Sequence, residues 1–577
     1  MPAKSQQGAQ SVSVALVGSG GAGVMTAGTI LLDAAAKAGW YGLMTRSVGP
    51  QIRGGESAAL LRLSTTPVEC HGDSFDVLIA VDWQNFTRFA KEVPLSAHSV
   101  VLADPAAGAP PATVVDIGLQ IIDVPMQEIL KKVAGGRPNM LALGLAAAVL
   151  GVPDDIVTKV VERRLGKKGG EALESSLQSV QAGRAAAPAL DGRFTLAPAA
   201  DATATRWLMS GNQAAGLGAL RGGVRFVAAY PITPATEVLE WMAPRLTKLG
   251  GALVQAEDEL ASINMIIGAS FGGVPSLTAT SGPGYSLMAE SIGLAVAAEV
   301  PIVVVNVMRG GPSTGIATKS EQADLNIAVY GLHGDAPHVV VAPTSIGDCA
   351  VTSQWAVHLA EKLQTPAIVL SDQFLGQAQA VLSPPVDTGE GPDRLINAAP
   401  QAPAARYEVT ESGVSPMTIP GVAGGQYISE SLTHNIRGRP STLADDHLAQ
   451  IEKRQRKLST FDYGERWADI DGDGPIAIIS WGSCCAPIRE AISRLNGGGK
   501  DLRLISLRLI SPVQPERMAE ALNGVKRALI IEQSHSGQLY RYLRAYYDLP
   551  KDTQCYHRPG PLAFTPGEIR DQIARMQ

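Results

Sequence analysis

Val224-Arg225-Phe226-Val227-Ala228-Ala229-Tyr230-Pro231-Ile232-Thr233-Pro234 sets an apolar run of strand length directly before a proline-braced loop. The same pattern recurs along residues 224–325. The acidic element Glu257-Asp258-Glu259 precedes an apolar helical face at Leu260, Ile263, Ile266 and Ile267. A turn follows at Thr278-Ala279-Thr280-Ser281-Gly282-Pro283-Gly284. The strongest buried-strand signal in the chain, Pro301-Ile302-Val303-Val304-Val305-Asn306-Val307, then runs into Arg309-Gly310-Gly311-Pro312-Ser313-Thr314-Gly315. Apolar runs ending in polar or glycine-rich loops are the signature of an open α/β sheet, which gathers ligands at the carboxyl ends of its parallel strands. The expectation is an enzyme site built there.

Within this stretch, Pro231 and Pro234 restrict the backbone around Thr233 and hold its hydroxyl in one direction, which suits ligand contact better than a plain turn. The three acids have two readings. They can satisfy the positive end of a helix, or one of them can be desolvated for proton exchange with a bound heterocycle. Arg309, a charge just past a buried strand and followed by two glycines, points to a substrate anion. Lys319, Glu321, Gln322 and Asp324 are expected on the same rim, as ligand contacts or as a surface facing a partner.

Composition bounds the class. With 577 residues, 45% apolar and 18% charged, the chain is too long for one core. Sixty-one glycines against 9 Phe and 7 Trp favour the tight turns of α/β enzymes. A net charge of −6 disfavours nucleic acid as a ligand. The apolar stretches are too short or too interrupted by charge to span a bilayer, and residues 1–10 lack a signal-peptide pattern, so a cytoplasmic location is expected. Cys70, Cys349 and Cys555 are isolated and Cys484-Cys485 is an adjacent pair. No spacing suits an iron–sulfur cluster or a zinc site, so any redox metal is expected on another chain.

Near the N-terminus, residues 12–17 read as a strand running into Gly18-Ser19-Gly20-Gly21-Ala22-Gly23, with a helix over residues 26–38. Three readings of this glycine loop stay open: a nicotinamide site, another phosphate or carboxylate ligand, or a tight packing turn. No acid is placed to take a ribose. Arg46 and Arg53 flank Gly49-Pro50-Gln51-Ile52-Arg53-Gly54-Gly55-Glu56-Ser57, where the glycines permit close approach and the arginine forks match planar oxyanions. Strands over residues 57–63 and 77–81, a helix-like 83–90 and a buried helix over 140–150 complete a first α/β domain. The Ala/Pro-rich residues 182–204 read as a linker.

Past the central stretch, strands are expected over 339–341 and 367–370, with a helix between them. Residues 383–473 read as a long ordered excursion, in which Lys453-Arg454-Gln455-Arg456-Lys457 forms either the solvated face of a helix or a docking surface for an acidic partner. From residue 476, strands over 476–480, 502–507 and 528–532 alternate with helices. His535, at a strand end, reads as a structural or interface histidine rather than a ligand contact.

Together these motifs resemble the 2-oxoacid:ferredoxin oxidoreductases. Tyr230-Pro231-Ile232-Thr233-Pro234, Glu257-Asp258-Glu259, Thr280-Ser281-Gly282-Pro283-Gly284 and the Arg309 motif look like the α subunit, and the two glycine motifs before residue 60 look like the γ domain, fused in front. The longer Gly49 and Arg309 motifs look most like the 2-oxoglutarate members. The resemblance implies a multidomain α/β chain: a γ-type domain over 1–181, a linker over 182–205, a thiamine-diphosphate pyrimidine-binding domain over 206–380, a connecting excursion over 381–473 and a transketolase C-terminal-like domain over 474–577.

It implies thiamine diphosphate shared with a β subunit that carries Mg²⁺ and a [4Fe-4S] cluster, coenzyme A as co-substrate, ferredoxin as electron acceptor, and a dimer of αβ heterodimers. Glu259, nine residues before Gly268, would engage the aminopyrimidine, with Glu257 as runner-up. Thr233 would bond the 2-oxoacid near its carbonyl and Arg309 would pair with its carboxylate. Tyr230, Pro231, Ser281 and Gly282 would line the cofactor. Arg46, Arg53, Gly54, Gly55, Ser313, Thr314 and Lys319 are candidates for substrate or coenzyme A. Pyruvate or a branched-chain 2-oxoacid remains as an alternative substrate, and two other classes remain: a nicotinamide dehydrogenase and a non-catalytic scaffold.

Overall fold

In the computed structural model, which describes residues 8–49, 55–402, 404–495 and 499–576, the chain forms two compact units. The first runs to Ser210 and takes back Ala378–Pro384 and Phe564–Ile569. Its eight-stranded sheet has the order Gln120–Asp123, Val100–Ala103, Val77–Ala80, Ser11–Ser19, Glu56–Ser64, Tyr41–Val48, Gln379–Leu382, Trp207–Ser210. The first four strands are parallel, as crossover helices require, and the rest pair antiparallel. Helices Pro138–Leu150 and Gly170–Ala185 cross so closely that a methyl on Gly144 would sit 2.1 Å from the Val180 carbonyl oxygen. Glycine is the residue that permits that approach.

The segment expected as a linker lies within this unit. Its helix continues to Ala185, and Phe194 and Leu196 are buried in the core formed by Leu16, Leu31 and Leu145. Two apolar anchors spaced among alanines and prolines leave no periodic signal. Likewise the helix-like stretch near Trp83 is a single turn, Phe86–Phe89.

The second unit comprises Gly211–Gln377, Pro385–Ala563 and Arg570–Gln577. A seven-stranded sheet has the order Leu509–Ser511, Val339–Val341, Pro366–Asp372, Ile302–Met308, Ser276–Thr280, Phe226–Ala229, Ala252–Gln255, parallel except at its Leu509–Ser511 edge. A five-stranded sheet orders Ala468–Asp471, Leu502–Leu507, Ile476–Trp481, Arg527–Glu532, Asp552–His557, with only the first strand antiparallel. One apolar core runs through both, from Val303 and Tyr285 to Trp481 and Ile530.

Gln322 helps join the two sheets and is not a rim residue. It is fully buried; its amide donates to the Trp481 carbonyl at 2.9 Å and its oxygen accepts from the Gln533 amide at 2.8 Å. Cys484 and Cys485 are free, buried thiols, and burial raises the pKa of Cys485 to about 11.

The basic run is also corrected. On helix Ala444–Ser459, Lys453, Arg454 and Lys457 face inward and Lys453 is 0% exposed. The ammonium groups of Lys453 and Lys457 take the two carboxylate oxygens of fully buried Glu299 at 2.5 and 3.1 Å. Arg406 donates to the Glu299 carbonyl at 2.9 Å. Lysines four apart on a helix share one face whether that face meets water or a buried acid. Glu299 accepts a left-handed φ of 52° at a helix end to present its side chain, a conformation that ordinarily favours glycine.

Candidate active site

Four loops sit at the carboxyl ends of adjacent parallel strands in the seven-stranded sheet, where the sequence places them. Tyr230 to Pro234 follows Phe226–Ala229, Glu257 to Glu259 follows Ala252–Gln255, Ser281 to Gly284 follows Ser276–Thr280, and Arg309 follows Ile302–Met308. Side chains distant in sequence thereby converge on one end of one sheet.

Burial separates the three acids. Glu257 and Asp258 are exposed, whereas Glu259, the first residue of helix Glu259–Phe271, is 7% exposed. Asp258 is the N-cap, accepting from the Ala261 amide at 2.7 Å, so the helix end has its partner without Glu259. The Glu259 carboxylate lies against the neighbouring turn. A methyl on Gly284 would fall 2.6 Å from its Oε1 and 2.3 Å from Thr280 Oγ1. Ser281 precedes helix Gly282–Ala297, fully buried, and its hydroxyl has no hydrogen-bond partner among the described residues.

Arg309 ties two loops together. It is 7% exposed, and its terminal nitrogens donate to the Thr233 carbonyl at 2.5 Å and the Thr314 carbonyl at 2.7 Å, while Nε has no partner among the described residues. Burial lowers its pKa from the usual guanidinium value and the charge of Asp324 opposes that. Thr233 itself is exposed, as is Tyr230, while Pro231 is half-buried. Ser313 and Thr314 lie on an exposed loop closed by Gly315, where a side chain would strike the Gly310 carbonyl oxygen. Lys319 anchors that loop, its carbonyl accepting from the Gly310 amide at 3.0 Å.

Asn306 and Tyr285, which the motifs did not single out, join the site together with Asp324, which was expected on its rim. Asn306, inside the strand before Arg309, donates to Asp324 Oδ2 at 3.0 Å, and its own oxygen has no partner among the described residues. Asp324 lies against Gly282, where a methyl would come within 2.7 Å of its carboxylate. Burial raises the pKa of Asp324, against Asn306 and Arg309. The Tyr285 hydroxyl is buried and has no partner among the described residues; burial, then the charge of Asp324, raises its pKa. A polar Asn in an otherwise apolar buried run was the available signal.

In the first unit, strand Ser11–Ser19, glycine loop and helix Val24–Lys37 form as expected. The loop is largely satisfied by the protein: the Ser19 amide and hydroxyl donate to Asp82 Oδ2 at 3.0 and 2.9 Å, and the Gly20 amide donates to the Gly55 carbonyl at 2.7 Å. A carboxylate already on the loop favours the packing-turn reading over a phosphate cradle. Arg46 is half-buried on strand Tyr41–Val48 and Gly55 is buried. Arg53 and Gly54 lie outside the described residues.

Comparison with known proteins places this arrangement. Residues 217–453 match the family profile described as pyruvate flavodoxin/ferredoxin oxidoreductase, thiamine diphosphate-binding, and residues 13–186 match pyruvate ferredoxin/flavodoxin oxidoreductase. The larger match is thus to the thiamine-diphosphate-binding part of an oxidoreductase family.

Subunit alpha of 2-oxoacid:ferredoxin oxidoreductase 2 from Aeropyrum pernix is 32% identical, over 76% of this chain and 73% of that protein. The 2-oxoglutarate synthase subunit KorA from Methanocaldococcus jannaschii is 34% identical over 58% of this chain and 89% of its own length. A solved 2-oxoglutarate:ferredoxin oxidoreductase from Magnetococcus marinus, with 2-oxoglutarate, coenzyme A and succinyl-CoA bound, superposes with a TM-score of 0.89. It shares 32% identity, covering 98% of this chain and 99% of that one. The chain belongs to the 2-oxoacid:ferredoxin oxidoreductase family. Among the described residues no helix is long and apolar enough to cross a membrane.

Proposed function

We propose that this chain catalyses oxidative decarboxylation of 2-oxoglutarate with coenzyme A, giving succinyl-CoA, CO₂ and reduced ferredoxin, together with a β subunit that holds Mg²⁺ and a [4Fe-4S] cluster. The observation that carries the reading is the selective burial of Glu259, beside exposed Glu257 and Asp258, against the Gly284 turn.

The residues present fit thiamine diphosphate. A glycine at 284 leaves room for the carboxylate, and the unpartnered Ser281 hydroxyl offers a further polar contact. Glu259 would hold the proton shared with the aminopyrimidine ring, and Tyr230, Pro231, Ser281 and Gly282 would line it. Bound, the cofactor supplies the nucleophilic carbon that adds to the 2-oxoacid and accepts the electron pair released with CO₂. A shared proton is favoured because burial strengthens a hydrogen bond and disfavours a bare charge.

Arg309 orients substrate. Its unpartnered Nε and remaining N–H groups meet the 2-oxoacid carboxylate, while its two carbonyl contacts tie the Thr233 loop to the Thr314 loop. Thr233 bonds the substrate near its reacting carbonyl. Ser313, Thr314 and Lys319 form the rim; R46A, R53A and substitutions at Gly54 and Gly55 test their assignment to coenzyme A or the second carboxylate.

Pyruvate is the competing substrate, because both family profiles carry its name. A panel of 2-oxoacids on the complex reconstituted with its β partner decides: highest kcat/KM for 2-oxoglutarate supports the reading, and highest kcat/KM for pyruvate overturns the substrate assignment. Reduction of NAD by the isolated chain would overturn the reaction class.

A further inference from the structure

Two acids, Asp324 beside Arg309 and Glu321 beside Asp324, make no hydrogen bond to Arg309 among the described residues. Asp324 approaches from the side of helix Gly282–Ala297, within 2.7 Å of where a methyl on Gly282 would sit, and receives one neutral amide from Asn306 at 3.0 Å. Glu321, three residues earlier, lies on the Gly310 side, its Oε2 3.4 Å from where a methyl on Gly310 would fall, and the charge of Asp324 acts on it. Arg309 spends its terminal nitrogens on the neutral Thr233 and Thr314 carbonyls. Asp324 therefore has both the Arg309 guanidinium and a second carboxylate, Glu321, in its surroundings.

A 2-oxoacid adds a third carboxylate to that enclosure. Like charges gathered in a partly desolvated site cannot all remain ionised, and the least costly relief is protonation of one of them. We propose that binding of a 2-oxoacid beside Arg309 is coupled to uptake of one proton from solvent by the Asp324–Glu321 pair. This rests on the reading that Arg309 receives the substrate carboxylate.

The surroundings of the pair support the coupling. Burial raises the pKa of Asp324, and burial followed by the Asp324 charge raises that of Glu321. The opposing charges are Arg309 on the strand-end loop and His535, which is exposed and acts on Glu321; the Gly560 amide also favours ionised Glu321. Tyr285, on the packed helix, is neutral throughout the working range. Between the pair's pKa in the free enzyme and its higher value in the complex, each bound substrate takes up a proton, so affinity falls as pH rises. Below both values and above both values it is flat.

Titration calorimetry of 2-oxoglutarate into the α–β complex, prepared without thiamine diphosphate to prevent turnover, counts the protons when run in phosphate and in Tris. Uptake approaching one proton is expected within the window, falling in D324N and in E321Q. With full cofactors, KM is expected to rise about tenfold per pH unit there with little change in kcat, and the slope to flatten in either variant. Equal heats in the two buffers together with a pH-independent wild-type KM overturn the coupling. Wild-type protein alone decides this even if D324N does not fold. If R309A binds 2-oxoglutarate as tightly as the wild type, the Arg309 assignment fails as well; if R309A loses binding and the wild type takes up no proton, the coupling alone fails.

Discussion

Glu299 is a fully buried carboxylate and Asp324 a half-buried one, both in the second unit, and their surroundings shift them in opposite directions. Burial would raise Glu299, but the charges of Lys457, Lys453 and Arg406 outweigh it and hold the group far below the usual carboxylate range. Asp324 has one neutral amide and a guanidinium bonded elsewhere, and burial raises it. The first acid fastens helix Ala444–Ser459 to the end of helix Gly282–Ala297. The second leaves its neighbours, Asn306 Oδ1, Tyr285 OH and Arg309 Nε, without partners. A saturated buried charge marks architecture, and an unsaturated one marks a place prepared for a ligand.

The contrast breaks most sharply at Glu259. E259Q is expected to lose roughly 10²–10⁴-fold in 2-oxoacid-dependent ferredoxin reduction, because a shared proton is removed. E257Q, on the exposed neighbour, should stay within a few-fold; equal losses would erase the distinction drawn from burial.

E299A removes the partner of two buried ammonium groups and is expected to cost about 3–5 kcal/mol of stability. Urea unfolding and limited proteolysis of residues 385–443 read it, and replacing all three charged groups with apolar ones should restore much of the loss. An E299A chain as stable as the wild type would show that the cluster fastens nothing.

T233V should lower kcat/KM by an amount corresponding to roughly 1–3 kcal/mol through one lost hydrogen bond, with stability unchanged. Unchanged kinetics would leave Thr233 as a turn residue.

The lysine side of the Glu299 cluster adds a smaller test. Burial lowers Lys457 from 10.5 to about 8. Between those values the unfolded chain keeps a proton that the folded chain has shed, so stability should rise with pH by roughly 1 kcal/mol per unit. K457M should remove that slope in urea melts. A wild-type chain that weakens between pH 8 and 10 would contradict the assignment.

The gentlest test concerns Gly268, where an added methyl meets nothing within 4 Å. G268A should stabilise the chain by about 1 kcal/mol from helix propensity. If the family spacing reflects close approach of a β subunit, the same change should weaken assembly, measured by titrating the two chains. Unaltered assembly would remove that explanation.

The sheet ends were legible because buried strand and polar loop alternate visibly from residue 224 to 315, and the strands fall within a few residues of the expected places. Glu259 was legible only through family spacing, since burial alone separates it from Glu257 and burial depends on packing. Asn306 and Asp324 were faint because each has a common local explanation, a polar interruption and a rim acid. Lys453 and Lys457 were misread because their partner lies 154 residues from the first of them, and helical spacing is identical on wet and dry faces. Phe194 and Leu196 were missed because anchors in irregular backbone have no period.

The role proposed for Glu259 is to activate a cofactor shared with another subunit. The most direct measurement is the rate at which the thiazolium C2 hydrogen of bound thiamine diphosphate exchanges with deuterium, followed by acid quench and NMR in the reconstituted complex. The account predicts exchange at least about 100-fold slower in E259Q than in wild type, with E257Q near the wild-type rate. Wild-type exchange in E259Q, with cofactor shown to be bound, would contradict it.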